Sequence, residues 1–205
     1  MSKFPEPPAG PWTLPAITVT RPAGTTLWRI YFIGGPHPAA WNDFRLFGPT
    51  ASRFDHHDPP PHAQVKGILY AADDGTTCLA EVFQQTRVVE RVPRAPWLVG
   101  FRLERDVVLL DLTGPWPTQA GASMAINSGP RPRAQRWSRA IYGAYPNVEG
   151  LLYASSMHAN APAVALYERA KNALQASPVF NRALADPALL HRLSAAATRL
   201  GYGIV

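Results

Sequence analysis

Glu81 and Arg29 are the residues whose surroundings suggest chemistry. Glu81 lies among Cys78, Leu79, Ala80, Val82 and Phe83, just after an apolar run and a tight Asp73-Asp74-Gly75 turn. A carboxylate in such company either faces solvent or is held for use. Arg29 interrupts the apolar run Leu27–Ile33 and would share one strand face with Leu27 and Tyr31. A guanidinium there sits at a sheet edge, pairs with a carboxylate, or binds an anion. An ion pair between Arg29 and Glu81, fixing sheet against helix, is the structural alternative to a shared site. Ser155 follows Gly150–Ala154 and, taken alone, is an ordinary strand-end serine. His56, His57 and His62 beside Asp55 and Asp58 lie in a proline-bearing loop with no standard ligand spacing, so a polar surface loop is expected and a metal is not. The chain carries no Walker-type loop, no GxGxxG after a strand, no HExxH and no GxSxG. A nucleotide would have to bind without a glycine-rich helix entry.

The elements that must position these residues follow from apolar patterning. Leu27–Ile33, Gly67–Ala72, Trp97–Leu103, Val107–Leu112 and Gly150–Ala154 are expected strands, short and rich in β-branched or aromatic residues. Thr76 or Thr77 is placed to cap a helix carrying Leu79 to Phe83. Gln135–Tyr145 has Trp137, Ile141 and Tyr142 at helical spacing, with Trp137 and Tyr153 expected in the core. Pro187–Leu200 is an amphipathic helix, with Leu189, Leu190, Leu193, Ala197 and Leu200 on one side. Ala163–Tyr167 is ambiguous by period. Strands mixed with scattered helices predict an α+β fold.

With 205 residues the chain suits one compact domain. A hydrophobic share of 46% against 17% charged excludes a disordered chain. Its 22 prolines are about twice the usual share of roughly 5%. They cluster between Pro5 and Pro15, which predicts an extended, weakly ordered arm over residues 1–24 ahead of a domain at 25–205. The net charge of +6 is almost all arginine, since only Lys3, Lys66 and Lys171 are lysines. Such a surface suits nucleic acid, dinucleotide phosphates or an acidic partner, or is simply solvated. The run Arg131, Arg133, Arg136 and Arg139 has only Trp137 for an aromatic neighbour, unlike a single-strand binder. Cys78 is the only cysteine, so no internal disulfide forms, which fits a reducing cytoplasm. No apolar run approaches the ~20 residues of a membrane span, and no signal peptide is evident, so a cytoplasmic protein is expected.

Taken together, the three residues form a pattern. An arginine stands in a first strand (Leu27-Trp28-Arg29-Ile30), and a glutamate follows a tyrosine strand and turn (Ile68-Leu69-Tyr70-Ala71, then Leu79-Ala80-Glu81). A serine closes Gly150-Leu151-Leu152-Tyr153-Ala154-Ser155. Phe47-Gly48 and Arg53-Phe54-Asp55 lie between the first two, and Ala165-Leu166-Tyr167 comes late. The arrangement resembles the Arg-Glu-Ser pattern of the RES family of bacterial toxins, from about Leu27 to Val205. By that likeness Ala163–Tyr167 is a strand. Two departures are the histidine and proline stretch before Lys66 and the Ser156-Met157-His158 that follows the serine.

The resemblance implies a bent, split mixed sheet like that of ADP-ribosyltransferases, gripping NAD as substrate, with flanking helices and no metal. It implies cleavage of the nicotinamide–ribose bond by hydrolysis or by inorganic phosphate, as the toxin of a pair with an Xre-type antitoxin. Glu81 would stabilise positive charge on the ribose, Arg29 and Arg53 would meet phosphates and ribose hydroxyls, and Tyr70 would stack on nicotinamide or hydrogen-bond a ribose. Ser155 would orient the carboxamide or hold Glu81. Two other functions remain open: protein ADP-ribosyl transfer from the same NAD site, and a non-enzymatic basic binding module.

Overall fold

The apolar runs become the central strands of a mixed sheet because alternate side chains feed a core on each face. The computed structural model describes residues 3–205. In chain order the elements are β1 (Thr18–Arg21), β2 (Thr26–Phe32), β3 (Arg45–Gly48), β4 (His62–Ala72), α1 (Gly75–Val82), β5 (Val88–Val89), β6 (Pro96–Arg102) and β7 (Val107–Asp111). They continue with α2 (Trp116–Gln119), α3 (Arg131–Ala144), β8 (Gly150–Ala154), β9 (Pro162–Tyr167), β10 (Phe180–Ala183), α4 (Leu190–Leu200) and β11 (Gly203–Ile204). The order across the main sheet is β1-β7-β8-β9-β4-β2-β6-β10, with β3 on β4, and only β7 and β8 run parallel. β5 and β11 form a separate parallel pair.

Leu27 and Tyr31 of β2, Leu69 of β4, Leu152 of β8 and Val164 of β9 enter one core. Ile30, Ile68, Tyr153 and Ala165 enter the other, which also takes Leu79 from α1, Trp137 and Ile141 from α3, and Leu193 from α4. Helices cover one face, while Trp41, Phe44 and the 3-10 turn carrying Ala170 and Ala173 cover the other. Coverage on both faces explains why Gly150–Ala154 is buried throughout and shows no polar alternation. The fold is α+β, a single domain built on one mixed sheet.

The sheet splits at β2. That strand pairs with β6 along its whole length, from Thr26↔Arg102 to Phe32↔Pro96. With β4 it pairs only at Trp28↔Ala72. Below that point β3 takes the edge of β4, at Arg45↔Ile68 and Phe47↔Ala63. A cleft opens where β2 and β4 part.

Several elements differ from expectation. The tyrosine strand begins at His62, well before Gly67, because β3 supplies a partner. The cap of α1 is Asp74, not a threonine: its carboxylate accepts from Thr77 N at 2.9 Å and Thr77 Oγ1 at 2.7 Å. Helix α3 starts at Arg131, earlier than Gln135. Leu190 points to solvent, while Leu189, Leu193 and Ala197 are buried.

The proline-rich stretch is docked rather than loose. Phe4 is buried and stacks on Trp137 at 6.4 Å, and Trp137 Nε1 donates to the Pro5 carbonyl at 2.8 Å. Trp12 packs edge-on against Trp137 and Tyr145 at 5.6 and 5.8 Å. Buried aromatic area, invisible to a composition count, offsets the ordering cost of the stiff segment.

The expected surface loop is corrected in its first part, while Asp58 and His62 are exposed as expected. Asp55, His56 and His57 are fully buried. His57 Nδ1 lies 2.5 Å from Asp55 Oδ1, and its Nε2 lies 2.9 Å from the Lys66 carbonyl oxygen. Asp55 also accepts from Thr50 N at 2.6 Å and pairs with Arg45 at 2.9 Å. Burial would raise the Asp55 carboxyl, but these partners hold it well below the carboxylate range. His56 stacks on Tyr142 at 4.4 Å, and burial pushes it down to about 3. The described residues hold no group of three His, Cys, Asp or Glu placed for a metal.

Candidate active site

Glu81 reaches the cleft because α1 is short and follows β4 directly. Thr77, Cys78, Leu79 and Ala80 are buried against the sheet, which leaves Glu81 at the penultimate position, facing the split. Its carboxylate Oε1 accepts from Ser155 Oγ at 2.5 Å. Ser155 is fully buried, and its Oγ accepts from Met157 N at 3.3 Å and His158 N at 3.2 Å. Two backbone donors occupy the serine's lone pairs, so its proton goes to Glu81. The loop that supplies them is closed by Ser155 N donating to the Ala161 carbonyl at 2.9 Å. His158 Nδ1 lies 2.9 Å from Thr77 Oγ1, which ties this loop to the start of α1. A strand-end serine thereby becomes the orienter of the carboxylate.

The cleft has a volume of about 870 Å³. Arg29, Arg53, Tyr70 and Glu81 all line it, so four of the residues singled out from sequence meet there, with Ser155 directly behind Glu81. Arg29 is half-buried; its Nη1 donates to the carbonyls of Trp41 at 2.7 Å and Asp43 at 3.0 Å. Burial pushes its guanidinium down to about 10, still cationic at neutral pH. Among the described residues it makes no ion pair with Glu81, so the structural alternative of an Arg29–Glu81 pair does not hold. Arg53 Nη1 donates to the Gly129 carbonyl at 2.5 Å. Burial, then the neighbouring Arg131, lowers its proton affinity. Tyr70 lines the cleft with its hydroxyl buried behind the wall, and burial holds that hydroxyl well above the usual phenol range.

Sequence reasoning missed Arg45, Arg94 and Asn127, which also line the cleft, and took Tyr153 for core alone. Arg94 lies over the Phe32 ring at 4.2 Å. Arg131 stood out only as part of an arginine run, yet it faces the cleft while Arg133 and Arg136 turn to Glu6. It is the first residue of α3, two positions before Arg133 and so on a different side of the helix.

A split-sheet cleft, lined by arginines and holding one carboxylate oriented by a buried serine hydroxyl, combines cationic donors with a fixed anionic group. The model of the RES domain matches residues 26–188, and the chain belongs to the RES family. Among solved structures, the M. tuberculosis MbcT–MbcA toxin–antitoxin complex is similar in fold, with a TM-score of 0.55 and 21% identity over 86% of this chain and 92% of the other. No curated protein sequence matches the chain. No helix among the described residues is long and apolar enough to cross a membrane.

Proposed function

We propose that this protein is an NAD-degrading toxin, carried by residues 25–205, that breaks the nicotinamide–ribose bond as a glycohydrolase or phosphorylase. The observation that carries the proposal is the Glu81 carboxylate, fixed by the Ser155 hydroxyl at 2.5 Å inside an arginine-lined cleft. When the bond from the anomeric carbon to nitrogen breaks, its electron pair neutralises the pyridinium and nicotinamide leaves. The ribose becomes oxocarbenium-like, as in glycoside hydrolysis. A preoriented carboxylate stabilises that charge without reorganising at the moment of reaction. Arg29 and Arg53 supply donors for the pyrophosphate and ribose hydroxyls. Tyr70, in the cleft wall, would stack on the nicotinamide. A cleft of about 870 Å³ is in the range for such a ligand.

NAD is a cytoplasmic metabolite, so the protein acts in the cytoplasm. It is held in check by an antitoxin of the Xre-like type, as the similar MbcT fold was solved with MbcA. Co-expression with the product of the neighbouring gene should give a stable complex that suppresses turnover, and failure to bind would remove this part.

Mass spectrometry of purified protein mixed with NAD, with and without inorganic phosphate, tests the activity. Nicotinamide release with ADP-ribose or its 1″-phosphate is the expected result. Label from NAD found on protein would indicate ADP-ribosyl transfer, and intact NAD together with unlabelled lysate proteins would leave a binding module.

A further inference from the structure

One short loop grips α1 at two successive turns. Thr77 and Glu81 stand four residues apart in that helix, so they share a face. The loop from Ser155 to Ala161 touches both. Ser155 Oγ donates to Glu81 Oε1 at 2.5 Å, and His158 Nδ1 lies 2.9 Å from Thr77 Oγ1. Within the loop, the His158 N–H donates to Ser155 Oγ at 3.2 Å. Glu81, Ser155, His158 and Thr77 therefore close a circuit whose last side is one turn of α1.

The direction of each bond follows from its acceptor. Burial would raise the Asp74 carboxyl, but the donors of Thr77 hold it below the usual range, and a carboxylate only accepts. The Thr77 hydroxyl proton thus goes to Asp74 Oδ2 at 2.7 Å, which leaves an oxygen lone pair for His158. His158 must then carry a hydrogen on Nδ1. Ser156, Ala159 and Asn160 are exposed, while the half-buried His158 turns back onto the helix. Ala159 and Asn160 take φ of 45° and 61°, left-handed conformations that persist where surrounding contacts hold them.

We propose that His158 is a positioning residue for Glu81: by tying the serine loop to Thr77, it fixes where the Ser155 hydroxyl meets the carboxylate. The inference rests on the NAD reading above, in which a preoriented carboxylate faces the ribose. His158 lies outside the cleft lining, so it acts through Ser155 and α1 and not on the substrate. Without its side chain the serine loop loses its hold on the turn before Glu81. The carboxylate then has to reorganise during the reaction, which lowers the stabilisation it gives to developing positive charge. Arg29 and Arg53, which meet the rest of the dinucleotide, take no part in the circuit, so substrate binding is left as it was.

The full chain and its His158→Leu variant are compared for NAD consumption. Loss of one hydrogen bond from the circuit predicts a ~3- to 10-fold fall in kcat, with the KM for NAD within about twofold of the parent. His158→Asn places an amide N–H where Nδ1 stood and restores most of kcat. His158→Asp sets an acceptor against an acceptor and does not. His191→Asn, at an exposed histidine of α4, leaves both constants as in the parent. An unchanged kcat in His158→Leu overturns the proposal, as does a change confined to KM or equal recovery by Asn and Asp. Nitrogen-15 NMR of the histidine rings gives a second readout without substrate. In the neutral imidazole of His158 the hydrogen is expected on Nδ1, and finding it on Nε2 overturns the circuit. If the parent leaves NAD intact while Nδ1 keeps its hydrogen, the NAD reading falls and the tie between the serine loop and α1 stands.

Discussion

Arg131 and Arg136 belong to one helix, yet their surroundings differ in kind. On the outer face of α3, Arg136 and Arg133 meet Glu6 of the docked N-terminal stretch at 2.6 and 3.2 Å, and the Glu6 carboxyl drops to about 2. At the cleft end, Arg131 rests on an amide oxygen and Arg53 on a backbone carbonyl. In the interior, Asp55 is likewise closed off by His57, Thr50 and Arg45. A folded chain satisfies buried polar groups wherever it has no other use for them. Helix α3 thus presents two faces, one closed off by a carboxylate of the chain itself and one that lines the cleft.

That contrast can be broken or sharpened by substitution. Glu81→Gln keeps the shape and removes the charge; NAD consumption should fall by at least ~10²- to 10³-fold with an unchanged circular dichroism spectrum. Normal turnover would remove Glu81 from the chemistry. Phe4→Ala tests the docked face, where loss of a buried aromatic should cost about 3 kcal/mol in denaturant unfolding and leave the KM for NAD near its parent value. A large activity loss without a stability loss would show that the two regions are not separate. Ser155→Ala frees the Glu81 carboxylate, and a lost hydrogen bond to a charged group predicts a ~10- to 100-fold drop in kcat with the fold intact. An equal change confined to KM would mean that Ser155 contacts substrate instead.

Acid titration probes a buried group with no ligand to await. His56 has neither ring nitrogen hydrogen-bonded, and burial lowers it from 6.5 to about 3. Its folded value lies below its unfolded one, so the unfolded chain takes up the proton first as pH falls through 6.5. Stability present at pH 7 should then decline between pH 6.5 and about 3, by up to about 1.4 kcal/mol per pH unit. Asp55, also depressed in the folded state, adds to the loss only below its unfolded value of 3.8. His56→Phe should flatten the upper window, and a slope identical to the parent's would assign it elsewhere. The smallest effect belongs to Glu6→Gln, since an ion pair at an exposed carboxylate contributes little. Its melting temperature should barely move, and a collapse of the docked stretch would show that charge holds it in place more than Phe4 and Trp12 do.

Much of the framework was legible locally. Gly150–Ala154 and the strand over Leu27 to Phe32 stand where their apolar runs lie, because residues buried on both faces leave a continuous signal. Glu81 and Arg29 were visible as charged residues at odds with their neighbours, whereas Ser155 stood out only through the family pattern. The docking of residues 4–14, the burial of the histidine loop and the short β3 were not legible. Each depends on partners far along the chain: Trp137 for Phe4, Lys66 and Arg45 for the loop, and the β2–β4 split for β3.

By itself, then, the sequence determined the strands, the α+β class and the residue types available for chemistry, since periodicity and composition act within a few residues. Tertiary structure decided their partners. It set Ser155 behind Glu81 across 74 positions of chain, turned Arg136 to Glu6 and Arg131 to the cleft, and buried Asp55, His56 and His57. The physical reason is that charge compensation and hydrogen-bond satisfaction depend on distances in space, which no local pattern encodes.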